Sequence, residues 1–571
     1  MRTPFRLVFL SLLGACTTGT PSTTMQDTAS EQWTVSIAEA SATREPARTT
    51  TDSGQEPQQP GSTAPPPPTE EDAYALRIYH DDVAAMQLYA RLIREEVDAL
   101  QATRHPLDPN ATPDGTRIAT HLAELEWLAM QFVLTAGEHP QQALVQRLTT
   151  STGVDRSHGM AWSLLQWQHP DRVQLLGRLT EWQLIGPFDN ERGTAFDNAI
   201  APESAPGTDV VHPGKVRTVA WRNLPETMPQ DAILDFSKLM RPAEQSALLL
   251  RTWIESDVDQ EVVLLLGFEG EARVWHDGTP VFEAKEQHGL APDSQAVPMA
   301  LHAGWNEVSV KLGSRDHAPR LVARFVNQEA APLHLTQSNT LPEAMTPALL
   351  ADGAVVENGL AKHRHALRYY TAITLVSPEN ADAHYRLAQL QSDYRVAPLA
   401  EHPGRENARR ATELAPDVIR YRSFYAYTLF PEYGTIAAEV DLNPWLEQTQ
   451  MILAENPNHP VANFFRAQAA AKYQGMESTA LDAMDRLVEV CDARPLALYL
   501  RSQALEQFDY GLLAERDLRA VLDHPQAMQY PGLALYAADE LYPSGSPELI
   551  SILETLHRTS PNRDTLNSLV Y

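Results

Sequence analysis

The sequence predicts a multidomain chain of α and β parts: a helical N-terminal domain, an antiparallel β-sandwich and a C-terminal α-solenoid of helical repeats. Three observations carry this. Apolar residues recur at helical spacing from Ala73 to about Leu179. Short β-rich runs separated by turn signals fill the span from Trp182 to Asn327. Helical runs then return from about Thr346, punctuated by prolines at a near-constant interval. A chain of 571 residues is too long for one ordinary core. The expected units are a processing segment (1–16), a polar tether (17–70), a helical domain (73–180), the β-sandwich (181–330) and the repeats (345–571).

The first unit is read as a signal rather than as fold. Arg2 and Arg6 are basic, and the apolar run from Leu7 to Leu13 is too short to span a bilayer. Leu13-Gly14-Ala15-Cys16 then resembles the lipobox of bacterial lipoproteins. The resemblance implies cleavage before Cys16, acylation of its thiol and permanent membrane attachment through several acyl chains. Thr17 and Thr18 stand where lipoproteins kept at the inner membrane carry Asp, so the implied location is the outer membrane, facing periplasm or cell surface. The following Thr/Ser/Pro-rich stretch ends in Pro65-Pro66-Pro67-Pro68. It holds too little apolar mass to offset ordering and is expected to be a disordered tether. As a coil it would reach about 40 Å root-mean-square.

In the helical domain Tyr79, Val83, Met86, Ala90, Ile93, Val97 and Leu100 form one stripe, expected as a helix of about seven turns from Ala73. Pro106, Pro109 and Pro113 end it, and Ile118, Leu122, Leu125, Ala129 and Phe132 mark a second helix.

The stretch WQLIGPFDNERG (182–193) opens the β-region, with Gly186-Pro187 and Asp189-Asn190 as turn chemistry. It reads as a joint in which Trp182, Ile185 and Phe188 pack the first strand against the helices before it. VRTVAW, ALLLRTWI, EVVLLLGF, ARVWHDGTPVFE, LHAGWNEVSVKLG and RLVARFV are expected strands, with Asp277-Gly278 as the tightest hairpin turn. In the last unit Pro378, Pro416, Pro457 and Pro495 lie 38, 41 and 38 residues apart, each after a helical run. This resembles tetratricopeptide repeats, although the interval exceeds the usual 34 and the full consensus is absent.

A wider resemblance rests on the junction and the order of units. WQLIGPFDN resembles the W-x-x-x-GPF-D-N junction of bacterial envelope proteins that join helical repeats, a β-sandwich and a transglutaminase-like domain. The hairpin VWHDGTPVFE and the later strand Leu301-His302-Ala303-Gly304-Trp305-Asn306 resemble galactose-binding-like jelly rolls. The transglutaminase-like module would lie beyond the repeats, and its Cys-His-Asp triad has no counterpart here. No catalytic residue carries over, and a shortened relative of such a cysteine peptidase is one expectation.

Composition narrows the function. A formal charge of −29, from 74 acidic and 45 basic residues, argues against nucleic acid and anionic lipid as partners. The two cysteines allow no disulfide framework once Cys16 carries lipid, and Cys491 in LVEVCDARP reads as a buried structural thiol. Trp182, Trp221, Trp253, Trp275 and Trp305 are half of the ten tryptophans and serve equally as core or as sugar-stacking platforms. Trp275 and His276, beside the hairpin turn, are the residues expected to be exposed and to bind a glycan. Asp189, Asn190 and Asp197 could hold Ca²⁺ or merely form turns. His363 and His365 are two apart on a helix and do not form a zinc pair. No cofactor or catalytic residue is expected. The leading expectation is a lipid-anchored envelope scaffold whose repeats meet a protein partner; the alternatives are an accessory transglutaminase-like fragment and a carbohydrate-binding lipoprotein.

Overall fold

The computed structural model describes residues 68–79, 81–105, 113–136, 142–167, 169–207, 210–224, 233–315, 318–343, 345–352, 364–394, 404–429, 443–471, 476–527 and 530–559. Cys16, the processing segment, nearly all of the tether, Pro106, Pro109, His363 and residues 560–571 lie outside them. Among the described residues, no helix is long and apolar enough to cross a membrane.

A helical N-terminal region, a curled antiparallel sheet and a C-terminal helical region follow in that order. The N-terminal helices are α1 (Glu70–Ile78), α2 (Asp82–Arg104), α3 (Gly115–Ala136), α4 (Gln142–Ser151) and α5 (Met160–Trp167). The single long helix expected from Ala73 is thus two. Asp81 stops the continuation because its carboxylate accepts from the Ala84 amide, capping α2 afresh, and Tyr79 becomes the C-cap of α1. Of the rest of the stripe, Met86, Ala90, Ile93, Val97 and Leu100 are buried and Val83 is half-buried.

The sheet is built from β1 (Gln183–Asp189), β2 (Ser246–Ser256), β3 (Gln260–His276), β4 (Thr279–His288), β5 (Gln295–Leu301), β6 (Gly304–Ser314) and β7 (Arg320–Val326). Its main path runs β1-β2-β6-β3-β7, and every pair is antiparallel. EVVLLLGF and ARVWH, expected as separate strands, are one strand of 17 residues. The first part of β3 pairs with β5 and β7, and the part after Gly270 pairs with β4 and β6. That change of partners curls the sheet. VRTVAW yields little: only Thr218–Val219 is a short strand, with another, Arg222–Asn223, just beyond it. The Asp277-Gly278 turn is as expected, both residues having positive φ (46° and 78°).

Leu248, Leu250, Val262, Leu264, Leu266, Val308, Val310 and Leu312 fill the inside of the curl. The other face of β3 is buried too, since Val263 and Leu265 join the helical core. Burial on both faces explains why VVLLL is apolar without alternation.

The C-terminal helices are α6 (His365–Val376), α7 (Ala381–Asp393), α8 (Arg405–Leu414), α9 (Ile419–Leu429), α10 (Asn443–Glu455), α11 (Pro460–Ala470), α12 (Glu477–Val490), α13 (Pro495–Gln507), α14 (Gly511–Asp523), α15 (Pro531–Leu541) and α16 (Pro547–Thr559). Each packs on its neighbours in sequence. Pro378, Pro416 and Pro457 fall between helices, while Pro495 begins α13, where its missing N–H costs nothing. The sequence pattern sets residues 73–180 and 345–571 apart as separate units. Their described helices share one core, in which Trp127 of α3 meets Tyr370 of α6 and Tyr385 of α7 edge-on at 6.4 and 6.2 Å.

Candidate interaction surfaces

The hairpin residues come first. Trp275 is fully buried, not exposed. Strand alternation does point it away from the inner core, but that outer side is covered by Ile185, Phe188, Ala247 and Leu249. Residues 345–352 also run over the hairpin: the Trp275 Nε1–H donates to the Ala351 carbonyl at 2.9 Å, and the Ala351 amide donates to Gly278 O at 2.9 Å. The expected sugar-stacking platform is therefore closed. His276 is also largely enclosed, its Nε2 lying 3.1 Å from Asn306 Oδ1. Asn306 Oδ1 accepts from the His302 amide and its Nδ2 donates to Ile254, His302 and Gly304 carbonyls, so Nε2 of His276 carries the proton. Trp182 and Trp253 are buried, and Trp221 lies over the Arg251 guanidinium at 4.1 Å.

The WQLIGPFDNERG stretch is a joint, but not the one expected. Trp182 joins the core inside the curl, and Ile185 and Phe188 pack on β2 and Trp275 rather than on preceding helices. Contact with the helices is made elsewhere, by Trp162, Val173 and Leu176 against Val322. Asn190 is fully buried and locked: its Oδ1 accepts from the Phe196 amide at 2.9 Å, and its Nδ2 lies 3.4 Å from both Glu271 Oε2 and Ser314 O. Asp189 pairs with Lys215 at 3.1 Å. These carboxylate and amide oxygens are used by the fold.

Cys491 caps the C-terminal end of α12 and is buried, and burial pushes its thiol up to about 12. A thiol so disfavoured as thiolate is a poor nucleophile. His365 opens α6, where burial lowers its pKa.

A row of arginines missed in the sequence faces α1. Arg386 of α7 sits between Glu124 at 2.6 Å and Glu70 at 2.9 Å. Arg420 of α9 contacts Glu70, approaches Glu71 at 3.1 Å, and donates from Nε to the Tyr385 hydroxyl at 2.8 Å. The Tyr74 ring lies 4.8 Å from the same guanidinium. Arg494, before α13, donates to Tyr79 O at 2.9 Å and pairs with Asp81 at 3.0 Å. Tyr530, before α15, donates to Asp82 at 2.8 Å. Burial by itself would raise the Glu70 pKa, but Arg420 and Arg386 outweigh it and hold the carboxyl down at about 2. The available signal was buried arginine inside a helix otherwise rich in aromatic residues, as Arg420 and Arg422 are in IRYRSFYAYTL.

No protein-family model matches the chain, and no curated protein matches it.

Proposed function

We propose that the chain is a non-catalytic scaffold of the bacterial envelope, held to the outer membrane by lipid on Cys16, whose C-terminal helices present a surface to a protein partner. The observation that supports it is the packing of α6–α16, each on its sequence neighbours, with prolines 38 to 41 residues apart. Nearest-neighbour packing of this kind is the property of a tetratricopeptide-like solenoid, which offers long, open helical faces. In this reading the curled sheet is a jelly-roll-like sandwich, related to galactose-binding-like modules, that buttresses the helices. The resemblance of WQLIGPFDN to envelope proteins with transglutaminase-like domains supports the location, and the buried, high-pKa Cys491 weighs against an activity of that type.

The test uses the whole chain, because the N-terminal helices share their core with the C-terminal ones. Affinity capture from envelope extract should enrich one protein, and charge reversals on α7 or α9 should abolish the enrichment. Capture that is indifferent to those changes contradicts a docking role for this face. Cys16→Ser should release the chain from membranes, and a mutant that still cofractionates contradicts the anchor.

A further inference from the structure

The described residues between Thr69 and Asp82 lie across the C-terminal helices although 316 to 448 positions separate the paired residues. Its anchors come from α7, α9 and the starts of α13 and α15, at each of which a cation or hydroxyl meets an acidic group of the segment. Apolar burial contributes little here. Of the nine residues of α1 only Ala73 and Tyr74 are buried. What holds α1 is chiefly carboxylate on guanidinium, with one aromatic ring, Ala73 and Ile78 on the helical core, and the Arg77 guanidinium donating to Gln131 of α3 at 3.0 Å.

The two central arginines differ in a way that matters. Arg386 keeps Glu124 of α3 and Asp382 of its own helix at 2.6 and 2.9 Å, whatever α1 does. Arg420 is 7% exposed, and among the described residues both of its carboxylate partners, Glu70 and Glu71, belong to α1. Its remaining partner in the helical array is the Tyr385 hydroxyl. A buried guanidinium left without a carboxylate is strongly unfavourable. The array therefore contains a charged socket that it cannot neutralise alone, and a short helix fills it.

We propose that this face is a receptor for a short acidic helix, with two adjacent carboxylates followed three residues later by an aromatic ring, and that α1 is its resident occupant. A partner protein carrying that pattern docks by displacing α1. This rests on the docking role proposed above and adds the chemistry of the partner and the identity of its competitor. The pattern on α1 itself is Glu70-Glu71-x-x-Tyr74. Competition by a tethered segment is strong because its effective concentration is in the millimolar range, so an exchanging partner needs a longer acidic helix or more than one contact.

The experiment measures binding of a fluorescent peptide of residues 68–80 to the full chain by anisotropy. In Glu70→Lys/Glu71→Lys the resident helix loses its hold, and the peptide should bind about tenfold or more tighter than to the wild-type chain. Adding Arg420→Gln, or replacing both peptide glutamates by glutamine, should remove that gain. A folded double variant that does not bind the peptide, or equal binding by both chains, overturns the proposal. Should the double variant fail to fold, a photo-cross-linking residue in place of Tyr74 in the peptide reports on the wild-type chain at high peptide concentration. Adducts within 385–424 support exchange, and their absence overturns it. Partner capture that persists unchanged in Glu70→Lys/Glu71→Lys would remove the role of α1 while leaving the wider docking role intact.

Discussion

Arg324 and Asp293 meet in a buried bidentate pair, with Nη2 to Oδ2 at 2.6 Å and Nε to Oδ1 at 2.9 Å. Asp293 lies just before β5 and Arg324 on β7, so the pair belongs to the sheet. From it a polar chain leads into the helices. Trp167 of α5 donates to Asp293 Oδ2 at 3.2 Å, and Arg364 donates to the Asp293 carbonyl at 2.6 Å. The Arg364 guanidinium lies 4.0 Å from the Tyr394 ring, whose hydroxyl donates to Glu126 of α3 at 2.8 Å. Sheet, N-terminal helices and C-terminal helices are thus fastened at one point. Asp293→Asn should cost about 3 kcal/mol in urea unfolding, because it leaves buried guanidinium charge without its carboxylate. The backbone there has φ 57°, which Asn tolerates, so the loss reports the charge and not the turn. Asp293→Asn with Arg324→Met should cost less than the two single changes summed.

Gly270 should be the least replaceable residue of the sheet. Its φ is 98°, and a Cβ there would collide with the Gly313 carbonyl of β6. It stands where β3 leaves β7 and shifts register against β4, so it permits the curl as well as the close approach. Gly270→Ala should destabilise by about 2 kcal/mol or more, from strain and collision together. Ala272→Gly, two residues on and fully buried on the inner side, should cost less, about 1 kcal/mol. Thermal unfolding followed by circular dichroism separates the two.

Acid should weaken the protein before ordinary carboxylates titrate, through His459. This residue is 3% exposed, and as the N-cap of α11 its Nδ1 accepts from the Ala462 amide. The bond needs a neutral ring, and burial lowers the pKa from 6.5 to about 4. A histidine whose folded pKa is depressed stabilises above its unfolded value, and that stability is lost as pH falls from 6.5 towards 4. The full loss is about 3 kcal/mol, at 1.36 kcal/mol per pH unit. His459→Asn keeps an N-cap acceptor and removes the titration. Its midpoint temperature should therefore fall less steeply than that of the wild type between pH 6.5 and 4.5.

Asp82 should act in the opposite sense. Burial raises its carboxyl to about 6, with the Tyr530 hydroxyl and nearby arginines only partly offsetting it. Its folded pKa lies above the unfolded one, so the charged form is a cost above pH 6 that disappears on acidification. Asp82→Asn keeps an acceptor for Tyr530 and should stabilise the chain by about 1 kcal/mol at pH 8, with the gain vanishing near pH 4. Denaturation at the two pH values decides it.

What was legible in the sequence was whatever depends on neighbours along the chain. The 3.6-residue stripe of α2, the Asp277-Gly278 hairpin and the helices bounded by prolines are local patterns, and all three are present, the stripe's helix running from Asp82 rather than Ala73. What was not legible depends on contacts between distant segments. EVVLLLGF and ARVWH read as two separate β-rich runs, whereas in the sheet Gly270, at φ 98°, lets one strand pass between two sets of partners. Tyr79 fits the stripe of α2, yet Asp81 takes the capping role and separates α1. Nothing near Arg420 in sequence reveals that its carboxylates come from residues 70 and 71. Proximity of that kind is invisible to periodicity.

Trp275 shows the same limit in the site first singled out for function. The Asp277-Gly278 turn places it beside a hairpin tip, and such tips are commonly exposed. It is enclosed by Ile185, Phe188, Ala247 and Leu249 and by the 345–352 segment, which the sequence assigned to the helical repeats. The Ala348 amide donates to Glu307 at 3.1 Å, Leu350 packs on the Trp275 cluster, and Ala351 bonds both the indole and Gly278. The segment therefore belongs with the sheet, and among the described residues the first helix after it is α6, from His365. Two readings of the same residue separate cleanly. If Trp275 were a sugar platform, Trp275→Ala would abolish glycan binding with little effect on stability. As a buried residue it should instead cost about 3–5 kcal/mol on truncation to alanine. Trp275→Phe should recover much of that, short of the hydrogen bond to Ala351, about 1 kcal/mol. A stable Trp275→Ala chain with lost glycan binding would require the 345–352 segment to lift away from the hairpin, and holding Leu350 on the Trp275 cluster by a cross-link in the wild-type chain would then block glycan binding.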